Sequence, residues 1–399
     1  MSSSDQESSQ PALVLAEEIS VADGEFRIGV MTLNSPQTMN AVDLEMVNLI
    51  DDILARWQQD DGIVAMVMHG AGDQAFCAGG DIRQLYDSMT TEEDDHLQYA
   101  DAFFHGEYSK NYRVHLFGKP LIAWGHGFVM GGGLGLYIGA SHKVGTESLK
   151  LAWPEVRIGL FPDVAGTYYL SRLPYPYGHW MGLSGSLMNA IDCQELGLID
   201  YCIQAENFDL MMNRLKDLPW QANKAMNNTA VKALLLELDS IDRDEMPASQ
   251  LEPAKEEIQQ LFAGIEKDVA DHKLSRHQLN HNELVQIATR FEQLESDNPW
   301  LQQGRQNFLN GCPNTAHLIM NQLRDGKELS LKEVAQYELT LALQSVRHPD
   351  FAEGIRAMVV DKDYQPLWQH KSVQDVPKEW LDGFYQPLWE ESEHPFKDL

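Results

Sequence analysis

Two carboxylates stand out in the stretch "LKLAWPEVRIGLFPDVAGTYYLSRL": Glu155 and Asp163, each directly after a proline. Their neighbours Trp153, Leu160 and Phe161 are apolar and aromatic. A carboxylate held among such groups is costly unless it is partnered or put to chemical use. The plainer alternative pairs Glu155 with Arg157 and makes Asp163 the N-cap of a helix starting at Val164, since Asp is a favoured cap.

Two glycine-rich turns each follow an apolar run: "HGAGDQAFCAGGDI" and "GHGFVMGGGLGL". A glycine turn at the carboxyl end of a strand lets backbone N–H groups point outward without obstruction. A helix starting there adds its unsatisfied N–H groups and positive dipole end. Two such turns on neighbouring strands could converge on one oxygen, which is the arrangement of an oxyanion hole. Other glycine chemistries fail in detail. There is no GxxxxGK[ST] phosphate loop, "GHGFVM" lacks the third glycine of a dinucleotide fingerprint, and "GLSGS" misses the GxSxG spacing. The bland alternative is that the glycines only permit tight strand–helix packing.

Other clusters carry less. His277 and His281, with His272 and Glu283 nearby, have no HExxH pattern and lie in a polar helical stretch, so they read as a solvated face and no metal is expected. His126 sits between two glycines and reads as a buried, satisfied histidine. The acidic run "TTEEDD" reads as a solvated helix start.

The elements that must hold these residues follow from periodicity. "LVLAEEI" and "FRIGVMTL" alternate as strands. Asp43 starts a helix whose apolar positions Met46, Val47, Ile50, Ile53, Leu54 and Trp57 follow the 3.6 period. "IVAMVMHG" reads as a buried strand, residues 93–116 as a helix, and "PLIAWGHG" and "HKVGTE" as further strands. Strands alternating with helices over the first 215 residues predict an α/β unit with a mostly parallel sheet. From 216 onward, runs such as "EEIQQLFAGIEK" and "LKEVAQYELTLALQSV" predict helices. The expected organisation is a tail over 1–12, an α/β core over 13–215, and a helical region over 216–399.

Composition excludes several function classes. The chain has 399 residues and a formal net charge of −30, which argues against binding nucleic acid or an anionic membrane. Any anionic substrate must then be met by local donors. Cys77, Cys193, Cys202 and Cys312 show no CxxC spacing and fit small buried groups in a reducing cytoplasm. "MSSSDQESSQP" lacks a basic and an apolar signal region, so it reads as a frayed tail. The run 120–140 is long enough to span a bilayer, but Pro120, His126 and the density of glycine argue against a membrane helix.

"AFCAGGDI", "GHGFVMGGGLGL" and "PEVRIGLFPDVAGTYYLSRL", in that order and spacing, resemble the crotonase (enoyl-CoA hydratase/isomerase) superfamily. "DFAEGIRAMVVDKDYQPLW" resembles its closing helix, so the resemblance covers residues 13 to about 215 and 313–368, with a helical insertion over about 216–312. The insertion and "DKDYQPLW" are similar to the 3-hydroxyisobutyryl-CoA hydrolase branch. The resemblance implies a crotonase-like ββα spiral core and an acyl-CoA substrate, with no separate cofactor. It implies oxyanion donors at the Gly80 and Gly132 N–H groups, and coenzyme A contacts at Phe76, Ala78, Asp81 and Ile82. Hydratases of the superfamily carry a glutamate where this chain has Gly135; their second glutamate matches Glu155. The hydrolase branch adds the Asp of "FPD", here Asp163, and a further Glu, here Glu107 in "HGEYSKNY". The implied reaction is hydrolysis of a short 3-hydroxyacyl-CoA thioester, such as 3-hydroxyisobutyryl-CoA in valine breakdown. Glu155 would act as nucleophile or as base, and Asp163 would orient the β-hydroxyl or assist proton transfer. Two rivals remain: an enoyl-CoA isomerase or hydratase, and a non-catalytic acyl-CoA-binding protein. Arg83, Lys119, Lys143 and Lys362 are candidate cations for the coenzyme A phosphates. The superfamily often forms trimers, which leaves a homo-oligomer open.

Overall fold

Apolar period sets the strands of the computed structural model, which describes residues 12–91, 97–265 and 276–399. The strands are β1 (Val14–Val21), β2 (Phe26–Leu33), β3 (Ile63–Gly70), β4 (Ala75–Cys77), β5 (Leu121–Gly125), β6 (Phe128–Met130), β7 (His142–Gly145), β8 (Lys150–Ala152) and β9 (Tyr201–Cys202). Six of them form one sheet in the order β1-β2-β3-β5-β7-β9, and the other three form a second sheet, β4-β6-β8. Only the β1–β2 pair is antiparallel; every other pairing is parallel.

Between the strands run α1 (Leu44–Gln59), α2 (Ile82–Thr90), α3 (Gln98–His115), α4 (Gly131–Ile138), α5 (Gly166–Leu170), α6 (Tyr177–Ser184) and α7 (Ala190–Glu195). Successive passes of the chain therefore add one strand to the large sheet, one to the small sheet and then a helix. The fold is a crotonase-like ββα spiral.

Helix α1 shows how the sequence achieves this. The Asp43 side chain accepts from the Met46 N–H and caps the helix, and all six periodic apolar residues are buried. Their burial contributes on the order of 10 kcal/mol before chain entropy is counted. The helix predicted over 93–116 begins at Gln98 among the described residues. Thr90 ends α2 instead of starting a helix, and residues 92–96 of the acidic run lie outside the described residues.

After β9 the described elements are helical: α8 (Phe208–Lys216), α9 (Lys224–Asp242), α10 (Lys255–Leu261), α11 (Arg276–Gln293), α12 (Pro299–Asn310), α13 (Pro313–Asp325), α14 (Leu331–Val346), α15 (Pro349–Ile355) and α16 (Lys378–Phe384). A π-helical turn, Arg356–Val360, extends α15. Two of these helices complete the core: Met211 and Leu215 of α8 and Val231, Leu234 and Leu235 of α9 pack on Ile28, Val67, Ile122 and Val144 of the large sheet. A parallel sheet covered on both faces needs strands apolar throughout, which explains the unbroken run "IVAMVMHG". The remaining C-terminal helices join the larger core, bringing α14 against α3 and α15 against α2.

Candidate active site

The carboxyl ends of β4 and β6, the front of α3 and the loop after β8 open onto one cavity of about 290 Å³. Its apolar wall includes Ile82, Leu85, Phe103, Phe104, Leu160, Phe351, Met358 and Val359. Its polar groups are Glu107, Glu155, Arg157, Asp163 and the backbone of Gly79, Gly80, Gly131 and Gly132. The last three apolar residues come from α15 and its π-helical extension, so the C-terminal region walls part of a cavity built by the spiral core.

The two glycine turns meet here. Gly132 is the second residue of α4, so its N–H has no intrahelical acceptor. The Asp81 and Ile82 N–H groups are spent on Val42 and Gly80 carbonyls, whereas the Gly80 N–H has no backbone acceptor among the described residues. An added Cβ at Gly132 would stand 3.4 Å from the Gly80 nitrogen and only 2.0 Å from Glu107 Oε1. The approach is possible because residue 132 has no side chain. Two N–H groups without intrahelical or backbone acceptors, brought to one wall of the cavity, can hold one oxyanion.

Around them lies a buried carboxylate cluster: Glu107 is 2 % exposed, Glu155 3 % and Asp163 3 %. Burial, reinforced by the Asp163 charge, holds the Glu155 carboxyl well above the usual range. Burial, reinforced by Glu107 and Glu338, does the same to Asp163, and burial raises Glu107 against the pull of Lys110. Such groups share protons, so one can serve as acid while another serves as base. Tyr108 donates to Asp163 Oδ2 at 2.8 Å, while Glu107 Oε1 and Glu155 Oε2 have no hydrogen-bond partner among the described residues. Buried oxygens left open in a cavity point to a ligand that supplies the donors.

Neither plain alternative for the two carboxylates holds. Arg157 makes no ion pair with Glu155 among the described residues, and neither charge acts on the other's carboxyl or guanidinium. Asp163 does not cap a helix: α5 begins at Gly166, with Ala165 as a cap residue lacking a side-chain bond.

Gly80, Gly132, Glu107, Glu155, Asp163, Ala78 and Ile82 all line the cavity. Phe76 and Asp81 do not. Phe76 is fully buried against Tyr137, and Asp81 caps α2 through the Arg83 N–H. Of the candidate cations, Lys119 donates to the Trp57 and Asp60 carbonyls and Lys143 pairs with Asp200, both away from the cavity. Arg83 and Lys362 are exposed and do not line it. His126 is 8 % exposed and lies outside the cavity; its ring hydrogen-bonds the backbone at Gly72 and Trp124, while its Nε2 has no partner among the described residues. His272 lies outside the described residues, and His281 stacks on His317.

Sequence reasoning missed four polar residues. Lys110, fully buried, donates to Asn111 Oδ1 at 3.0 Å and lies 4.0 Å from Glu107 Oε1. Asn111 Nδ2 fills the space beside Gly135, 2.3 Å from where a Cβ would stand, with Val164 Cβ at 2.7 Å. Glu107, Lys110 and Asn111 recur at helical spacing on the buried face of α3, a signal that periodicity could have supplied. Arg157, the arginine lining the cavity, and Glu338 carry no comparable local signal.

A family model described as enoyl-CoA hydratase/isomerase matches residues 28–385. The chain is 31 % identical to the human protein named 3-hydroxyisobutyryl-CoA hydrolase, mitochondrial, over 90 % of this chain and 86 % of that one. Its identity to the Dictyostelium discoideum protein of the same name is 28 % over 88 % and 87 %. Among solved structures, an enoyl-CoA hydratase from Rhodobacter sphaeroides matches with a TM-score of 0.76 at 28 % identity, covering 94 % of this chain and 98 % of that one. A carnitinyl-CoA dehydratase from Mycobacterium thermoresistibile matches with 0.76 at 26 %, covering 95 % and 97 %.

Proposed function

The chain belongs to the enoyl-CoA hydratase/isomerase family, crotonase-superfamily enzymes that act on acyl-CoA thioesters, and from that premise we propose that it hydrolyses a short 3-hydroxyacyl-CoA. The observation that carries this reading is Gly135. A hydratase glutamate would have to stand there, and the space is taken by Asn111 and Val164. The carboxylates left in the cavity are Glu107, Glu155 and Asp163, the set expected for the hydrolase branch.

In this mechanism the thioester carbonyl oxygen accepts from the Gly80 and Gly132 N–H groups. Each donor contributes about 2.7–4 kcal/mol to the tetrahedral state. Glu155, having passed its proton to the carboxylate cluster, either attacks the carbonyl carbon and forms an acyl anhydride that water then hydrolyses, or removes a proton from the attacking water. In both routes the C–S bond breaks and the thiolate takes up a proton. Asp163, steadied by Tyr108, orients the β-hydroxyl or passes that proton. A cavity of about 290 Å³ is at the small end of ligand pockets, which supports a short acyl group, and 3-hydroxyisobutyryl is our choice. Arg157 we assign to an anionic group of coenzyme A. The compartment we propose is reducing, such as the cytoplasm, supported by four buried free cysteines. No helix among the described residues is long and apolar enough to cross a membrane.

Hydration or isomerisation of an enoyl-CoA is the second reading. It is favoured by the hydratase and dehydratase named among the full-length structural matches. A double-bond isomerase needs one carboxylate that takes up a proton and returns it, a role that the raised affinity of Glu155 for a proton supports. Glu155→Gln tests the main reading: thiol release from a 3-hydroxyacyl-CoA should fall about 10³-fold with KM within a few fold. Turnover near the wild-type rate would overturn it.

A further inference from the structure

Asp163 is followed by two residues in the left-handed region, Val164 at φ 50° and Ala165 at φ 70°. Neither is glycine, and for a β-branched residue this conformation is a true outlier, because the side chain crowds the backbone. Such a turn persists only when its surroundings impose it. Those surroundings come from the far end of the chain. Glu338, on α14 and 1 % exposed, accepts from the Ala165 N–H at 2.8 Å through Oε2 and from the Thr167 N–H at 2.9 Å through Oε1. Gln322, on α13, donates to the Pro162 carbonyl at 2.9 Å and to Thr167 Oγ1 at 2.6 Å. The backbone on both sides of Asp163 is thus held by the C-terminal helices.

We propose that Glu338 is a positioning residue for Asp163. With both carboxylate oxygens it clamps the left-handed turn and so keeps the Asp163 side chain in the cavity and against Tyr108. Val164 is the second link: its Cβ lies against Gly135, so a turn that relaxes also moves the wall beside Asn111. A core that folded without α14 would still carry Glu155 and both oxyanion donors, yet would present Asp163 incorrectly. The C-terminal region is then required for turnover and not only for cover. The neighbours that face Glu338 across a small cleft are Tyr108, Asn111, Tyr112 and His115 of α3. No cation stands among them to pair with it. The Ala165 and Thr167 N–H groups and the Thr167 side chain are its partners.

This assignment rests on the reading of Asp163 as a working carboxylate, but not on whether the reaction is hydrolysis or hydration. The test compares kcat and KM on an acyl-CoA for four full-length variants: Asp163→Asn, Glu338→Gln, Glu338→Asp, and Glu338→Asp with Ala165→Gly. Glu338→Asp keeps the charge but is too short to reach both N–H groups, and it serves if Glu338→Gln does not fold. Both Glu338 variants should lose at least tenfold in kcat with KM within about twofold. Glycine at 165 removes the Ala165 share of the steric cost of the left-handed turn, so it should return at least fivefold of the loss to Glu338→Asp. A purely structural role would lower the melting temperature and the yield of folded protein while leaving kcat per folded enzyme at the wild-type value. Asp163→Asn at the wild-type rate would overturn the reading of Asp163 and this proposal with it. An inactive Asp163→Asn beside Glu338 variants of wild-type kcat, or a loss that Ala165→Gly does not relieve, would overturn this proposal alone.

Discussion

Gly132→Ala puts one methyl group into the gap on which the oxyanion reading depends. The new Cβ would lie 2.0 Å from Glu107 Oε1 and 3.4 Å from the Gly80 nitrogen. Ordinary contact distances demand that the first of these open by about 1 Å or more. Glu107 is buried on α3 and hemmed in by Lys110, so the displacement falls on the carboxylate, on the start of α4, or on both. A shift of about 1 Å in a reacting geometry costs about 10²-fold, and loss of one oxyanion donor about 10²–10³-fold. The expected kcat for thiol release is therefore down by about 10²–10³, with KM within about threefold because the coenzyme A end is held elsewhere. Alanine is the better helix former by about 1 kcal/mol, so unfolding is not the cause, and a thermal melt checks this. Adding Glu107→Ala removes the clash, so the double variant should turn over no more slowly than Glu107→Ala alone. Two results would refute the reasoning: a Gly132→Ala enzyme within threefold of wild type, or losses that simply multiply in the double variant.

Arg157→Leu should raise KM for an acyl-CoA about tenfold, the loss of one contact to a charged group. The KM of the matching acyl-pantetheine, which lacks the nucleotide phosphates, should not change; equal KM values for wild type and variant on the acyl-CoA would remove Arg157 from substrate binding. Stability should fall as pH rises through neutrality. Burial raises Glu338 from 4.5 to about 7, so the folded chain keeps a proton there that the unfolded chain releases. That contribution is complete below about pH 4.5 and is lost as pH rises through about 7, amounting to about 3 kcal/mol. Denaturant unfolding of wild type and Glu338→Gln across this range measures it. The variant should show the flatter profile, and identical slopes would contradict the assignment.

Much of this was legible because local chemistry wrote it. Capping by Asp43 and the 3.6 period of its helix are local rules, and β3 reads as a buried strand because a sheet covered on both faces needs apolar residues throughout. The glycine turns were legible for the same reason: backbone that must approach an oxygen tolerates no Cβ. Glu338 was not legible, because nothing near it on α14 tells that its carboxylate meets the Ala165 and Thr167 N–H groups, more than 170 positions away. Phe76 and Asp81 sit inside a motif whose neighbours line the cavity, while Phe76 packs against Tyr137 and Asp81 caps α2. Lys119 and Lys143 illustrate the limit of charge counting, since each already has partners outside the cavity.

The central claim is that this cavity cleaves a thioester and does not add water to a double bond. One preparation of the wild-type enzyme decides it, with thiol release from 3-hydroxyisobutyryl-CoA and loss of enoyl absorbance from crotonyl-CoA followed side by side. The absent carboxylate at Gly135 predicts that kcat/KM for thiol release exceeds that for hydration by at least about 10²-fold, the typical worth of a general acid–base group. Hydration of crotonyl-CoA with no free thiol from the 3-hydroxyacyl thioester would contradict it.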